Sequence, residues 1–130
     1  MQTSLAEKLG RVARKQTVRL THYGRKSGQP HEVTIWFATD GEHIYLSTAN
    51  ANRHWVHNVK KTPQVKLSIG GVGFEGQARF LSDPAERDRA IALVKRKYWP
   101  FSPFVAFAQL LARFSIIKDT VGSFEVTLRP

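Results

Sequence analysis

The chain contains no cysteine. That absence excludes disulfides, thiolate metal sites and cysteine nucleophiles, and it fits a reducing cytoplasm. Acidic residues are also scarce, with ten Asp and Glu against twenty Lys and Arg and a formal net charge of +10. Carboxylate pairs for general acid and base chemistry are therefore hard to assemble, and no nucleophile–base pair stands out. Hydrolysis finds little support, and chemistry borrowed from a cofactor is the more economical expectation. Long apolar runs are missing too. The least polar stretch, YWPFSPFVAFAQLLARFSII at 98–117, is broken by two prolines and an arginine, short of the ~18 uninterrupted apolar residues of a membrane span. The first fifteen residues, MQTSLAEKLGRVARK, lack the apolar stretch of a secretory signal, so a cytoplasmic location is expected.

What remains is an ordinary globular composition, 42% hydrophobic over 130 residues. One domain spanning 1–130 is expected. The positive charge implies anionic partners such as nucleic acid, anionic lipid or a phosphorylated small molecule. It concentrates early. Lys8, Arg11, Arg14, Lys15, Arg19, Arg25 and Lys26 fall within the first thirty residues beside a single acid, Glu7.

Hydrophobic periodicity orders the chain. Residues 3–15 read as a helix with Leu5, Leu9 and Val12 on one stripe and Ser4 or Thr3 as cap. Strands are expected over 17–23, 31–39, 43–48, 64–70, 73–81 and 122–130. Asp40-Gly41 and Gly70-Gly71 are hairpin turns. Residues 52–63 read as a helix capped by Asn50 or Asn52 and closed by Pro63. Another helix runs from Pro84 to about Lys97, and an apolar one is expected over 103–114. About six strands, four of them in two tight hairpins, favour an antiparallel sheet curled into a small barrel with peripheral helices, an α+β plan.

Gly24-Arg25-Lys26-Ser27-Gly28 joins the first two strands. Arg offers a planar donor fork, Lys a point charge and Ser a hydroxyl. The flanking glycines let backbone N–H groups approach an oxyanion. This is a kit for phosphate or carboxylate, and His31, three residues on, could add a donor. A solvated basic turn would look similar. No Walker pattern is present. The second cluster is LSTANANRHWVHNV at 46–59. Small polar residues at a strand end can line a flat ring, and Trp55 could stack on it or simply anchor the core. His54 and His57, three apart on a helix, lack a third ligand at a recognised spacing, so no metal is expected.

Three blocks then appear in order: Leu20 to Gly28 as L-T-x-x-G-R-K-S-G, Asp40-Gly41, and Trp55, Asn58, Val59, Pro63 and Val65 as W-x-x-N-V-x-x-x-P-x-V. Over about residues 17–95 the chain resembles the deazaflavin-dependent nitroreductase and quinone reductase family. That resemblance implies a split antiparallel β-barrel of the pyridoxamine phosphate oxidase type and, as cofactor, coenzyme F420 or alternatively FMN. By the same resemblance, Arg25, Lys26, Ser27, Gly28 and His31 hold its anionic part. Ser47, Thr48, Ala49 and Asn50 line the ring edge, with Trp55 and Asn58 beside it. Hydride would pass to a small-molecule electron acceptor such as a quinone, nitro compound or enone. Tyr23 or His22 is near enough in sequence to serve as a proton donor. Family members often carry arginine where this chain has His31, which shifts the balance toward FMN. The apolar segment 98–117 replaces a tyrosine-rich block and could cover the substrate, form a homodimer face or touch a membrane peripherally. Two other readings stand beside the enzyme: a non-catalytic split barrel holding flavin, haem or lipid, and a nucleic-acid binder. No nucleic-acid recognition motif accompanies the charge, so nucleic acid is not expected as a partner.

Overall fold

A computed structural model of the chain describes residues 4–48, 53–98 and 122–129. In chain order these form α1 (Leu5–Val12), β1 (Thr17–Tyr23), β2 (Pro30–Thr39), β3 (His43–Thr48), α2 (His54–Lys61), β4 (Gln64–Ile69), β5 (Val72–Phe80), α3 (Pro84–Tyr98) and β6 (Gly122–Leu128). The apolar helix expected over 103–114 lies outside the described residues. The six strands close into a barrel in the order β1-β2-β3-β6-β5-β4, with β4 returning to β1 and every pairing antiparallel. The expected split-barrel, α+β fold is the one observed.

Alternation explains the closure. Along β1 the side chains of Val18, Leu20 and His22 are buried in turn. Leu20 stands opposite Val33 on β2 and Leu67 on β4. Phe37, Ile44, Leu46, Val65, Leu67, Ile69, Phe74, Phe124, Val126 and Leu128 complete the interior. Leu9 and Val12 of α1 join this core, with Leu5 packed at its edge, and so do Trp55, Val56 and Val59 of α2. The long helix α3 lies outside, against β2, β3 and β6. There it buries Ala38 and Tyr45, which point away from the barrel interior, against Val94, Leu81 and Ala90. Lys97 at its end donates from Nζ to the Phe37 carbonyl at 2.9 Å and sits 3.4 Å from the Phe37 ring centre. Burial pushes its ammonium down to about 8.

Turn chemistry fixes the register. Gly70 and Gly71 both have positive φ, 56° and 85°, the backbone that a two-residue hairpin turn requires. Ser4 caps α1, its Oγ accepting from the Glu7 N–H at 3.1 Å. The helix is shorter than expected, ending at Val12, because Lys15 N–H turns back to the Val12 carbonyl. The cap of α2 also differs. Arg53, not an asparagine, occupies the N-cap position, and it makes no side-chain capping bond because a guanidinium has nothing to accept with. Asn50 and Asn52 lie outside the described residues.

Candidate functional site

The β1–β2 connection is a small closed turn. Gly24 N–H donates to the Gln29 carbonyl, Gly28 N–H to the Gly24 carbonyl, and Gln29 N–H to Ser27 Oγ, each at 3.0–3.1 Å. Gly28 takes φ 69°, a left-handed conformation that glycine adopts without strain. A Cβ on Gly24 would stand 2.7 Å from Ser27 Oγ and 3.4 Å from His31 Nε2. Glycine is therefore required there for the hydroxyl and the imidazole to approach the backbone.

Helix α2 ties this turn to the barrel. Arg25 Nη1 donates to the His54 carbonyl at 3.2 Å and to Asn58 Oδ1 at 3.1 Å. Lys61 Nζ donates to the Arg25 carbonyl at 3.0 Å. Asn58 is only 6% exposed, and its Nδ2 lies 3.0 Å from His22 Nδ1. His22 is the last inward residue of β1, paired in register with His31, and the two imidazoles stack with centres 5.6 Å apart. Burial, and then the neighbouring His31, hold the His22 imidazole below its usual value.

These residues line an open cavity of about 560 Å³, whose wall is His22, Gly24, Arg25, Lys26, Ser27, His31, His54 and Asn58. The volume suits a small ligand or cofactor. Among the described residues the wall carries two cations, three imidazoles and no carboxylate. Lys26 is exposed and makes no hydrogen bond or ion pair among the described residues. The wall can therefore take an anion together with neutral hydrogen-bond acceptors.

The structure brings together Arg25, Lys26, Ser27, His31 and Asn58 of the residues singled out in the sequence, with Gly28 in the same turn. It does not bring Ser47, Thr48 or Trp55 to this wall. Ser47 Oγ is paired with Ser123 Oγ at 2.9 Å across β3 and β6, and Thr48 is half-buried at the end of β3. Trp55 is 4% exposed and packs on Phe124, ring centres 5.6 Å apart. Its position on α2 points it into the barrel, so its role is that of a core anchor. Ala49 and Asn50 lie outside the described residues. Arg25 also differs from the expectation of a free phosphate ligand, because part of its fork is committed to α2. Gly24, one of the flanking glycines of the predicted anion turn, lines the wall, and so does His54, which the sequence had offered only as a histidine without a third metal ligand. His22 had been read only as a proton-donor candidate beside the turn, through the family resemblance. Its signal was a polar residue on the inward face of an alternating strand.

The model of the pyridoxamine 5'-phosphate oxidase family matches residues 6–127. The chain belongs to that family. Among solved structures, this family member is similar to a conserved hypothetical protein, Rv2991, of Mycobacterium tuberculosis. That match has 24% identity and a TM-score of 0.74, covering 100% of this chain and 83% of the other. An F420-H2 dependent reductase, FDR-A, matches with 22% identity and a TM-score of 0.65, over 85% of this chain and 93% of its own. An FAD-binding protein of Mesorhizobium loti matches with 17% identity and a TM-score of 0.64, over 98% of this chain and 90% of its own. These likenesses establish a shared barrel.

Proposed function

We propose that this chain is an oxidoreductase that binds reduced F420, or alternatively FMN, at the cavity between the β1–β2 turn and α2. The observation that carries the reading is a wall without a carboxylate among the described residues, on which Arg25, Lys26, Ser27 and His31 converge at the end of a closed barrel. The donor set fits such a group. A phosphate or acidic tail needs cations and hydroxyl donors, and the polar edge of a flavin-type ring needs N–H donors and acceptors. Gly24 keeps the wall close where a larger residue would fill it. Membership of the family and the likeness to proteins named for F420 and FAD support a cofactor of this class. When bound in its reduced form, such a cofactor would supply a hydride to a small organic acceptor such as a quinone, nitro compound or enone, and would itself be oxidised.

The chain's own residues bind and orient. Lys26, exposed and without a partner among the described residues, is the cation most available to the anionic part of the ligand. Arg25 contributes its remaining donors while holding the turn against α2. Ser27 Oγ accepts from Gln29 N–H and keeps its own proton to donate.

Equilibrium titration of the purified protein with F420 and with FMN, followed by fluorescence, tests the reading. Saturable binding of one or both is expected, and Lys26→Ala is expected to weaken it about tenfold with no loss of stability. Parental affinity in Lys26→Ala would remove the anion cradle. Failure of both cofactors to bind would leave the fold intact and reject the oxidoreductase reading.

A further inference from the structure

Two hydrogen bonds on the cavity wall, Arg25 to Asn58 and Asn58 to His22, fix the place of one proton. Arg25 has only donors, so the atom of Asn58 that faces it at 3.1 Å must be the carbonyl oxygen. The amide of Asn58 then presents its NH₂ to His22, and at 3.0 Å His22 Nδ1 must accept. An imidazole that accepts at Nδ1 is neutral and carries its proton on Nε2. His22 Nε2 has no protein partner among the described residues, and His22 lines the cavity. Nε2 is therefore the ring nitrogen left for a ligand. The other described groups around it carry no negative charge: His31 stacks on it from β2, His54 and Asn58 face the cavity from α2, and Arg25 and Lys26 stand in the turn.

We propose that Arg25 and Asn58 position His22 as the neutral Nε2–H tautomer, and that this N–H is the donor which the cavity offers to an uncharged oxygen or nitrogen acceptor of its ligand. The second half rests on the binding-site reading of this cavity; the first stands without it. The ligand class follows from the pairing of sites. It is an anion that carries, on a separate neutral part, a carbonyl-like or aza acceptor. Lys26 takes the charge and His22 takes the acceptor. Arg25 is thus a positioning residue whose influence reaches the ligand through Asn58 and His22.

Long-range ¹H–¹⁵N correlation spectra of the ¹⁵N-histidine-labelled full chain, free of ligand and near neutral pH, decide the first half. His22 is expected to show a protonated Nε2 and a bare Nδ1. A proton on Nδ1, or an imidazolium, would overturn the proposal. Asn58→Asp supplies the contrast. A carboxylate accepts from Arg25 and from His22 alike, so the His22 proton should appear on Nδ1. A folded Asn58→Asp in which His22 keeps a bare Nδ1 would show that Asn58 does not set the tautomer. Should the variant not fold, the parent spectrum still decides.

FMN titration decides the second half. His22→Leu removes the donor and is expected to weaken FMN by about tenfold, whereas His22→Gln, which keeps an N–H, should stay within about threefold of the parent. The His22 Nε2 resonance of the parent should move on titration. Parental affinity in His22→Leu overturns the donor role. A parent that binds neither FMN nor F420 rejects the cofactor reading and the donor role with it, while the tautomer result stands on its own spectrum.

Discussion

Two polar clusters sit on this barrel, and they are built in opposite ways. One runs across the outer face, where Tyr45, Glu125 and Arg79 stand side by side on β3, β6 and β5. Tyr45 Oη lies 3.1 Å from Asp40 Oδ2 and 3.2 Å from Glu125 Oε2. Arg79 reaches Glu125 at 3.2 Å and Glu86 of α3 at 2.6 Å. Asp40 Oδ1 accepts from the N–H groups of Glu42 and His43, both at 2.8 Å. Each acid there meets a donor, and the cluster closes on itself. The other, at the β1–β2 turn, has donors and cations without one acid to meet them among the described residues. A closed cluster holds strands and a helix in register. An open cluster of one sign waits for a ligand that supplies the missing charge. Net charge alone could not separate these roles, since arginines serve in both.

The largest break in this comparison comes at Asn58, a buried residue that links the open cluster to the barrel through His22. Asn58→Leu keeps the volume and removes both hydrogen bonds, leaving Arg25 Nη1 without its side-chain acceptor and His22 Nδ1 without its donor. It should cost about 1–3 kcal/mol of stability and weaken FMN or F420 binding more than Lys26→Ala does. Urea unfolding and ligand titration on the same preparation check both. Unchanged stability would mean that the open cluster does not hold α2 to β1. The matching change in the closed cluster is smaller. Arg79→Ala removes a half-exposed guanidinium, its side chain 53% accessible, from two acids that water can then solvate. Ion pairs of this exposure contribute little, so a Tm loss of roughly 2 °C is expected, with cofactor affinity unchanged. An affinity change in Arg79→Ala would show that the two clusters are coupled through the sheet.

Much of this was legible before any coordinates. Inward positions such as Val18, Leu20, Phe124, Val126 and Leu128 announce themselves by alternation, and the Gly70-Gly71 pair fixes a hairpin by backbone sterics alone. The cationic turn was legible because a tight turn needs glycine but not Arg25 and Lys26 together. Closure of the barrel was only partly so, because which strand edges meet depends on non-local pairing such as β1 with β4 and β3 with β6. The partnership of Arg25, Asn58 and His22 was out of reach for the same reason. These residues are 33 and 36 positions apart in the chain, and only the docking of α2 joins them. Trp55 shows the converse. An aromatic near a candidate site invites a stacking role, but helix phase sends it to Phe124 in the core. The stripe that carries Asn58 turns toward the cavity instead.

The two clusters should also separate on the pH axis, by a smaller effect than any substitution above. His22 is held below the ordinary imidazole value of 6.5, chiefly by burial. The folded state therefore refuses a proton that the unfolded chain accepts. The stability associated with neutral His22 is complete above 6.5 and is lost as pH falls from there through the folded value. Asp40 behaves as a depressed carboxylate. Burial pushes it up, but the N–H groups of His43 and Glu42 and the Tyr45 hydroxyl outweigh burial and bring it below 3.8. Its contribution is present above 3.8 and fades only as pH falls further. Unfolding free energy measured against pH should thus decline in two steps, the upper belonging to the open cluster and the lower to the closed one. His22→Gln should flatten the upper step alone and Asp40→Asn the lower alone. If His22→Gln leaves the decline below 6.5 as steep as in the parent, the buried imidazole of His22 is not its source.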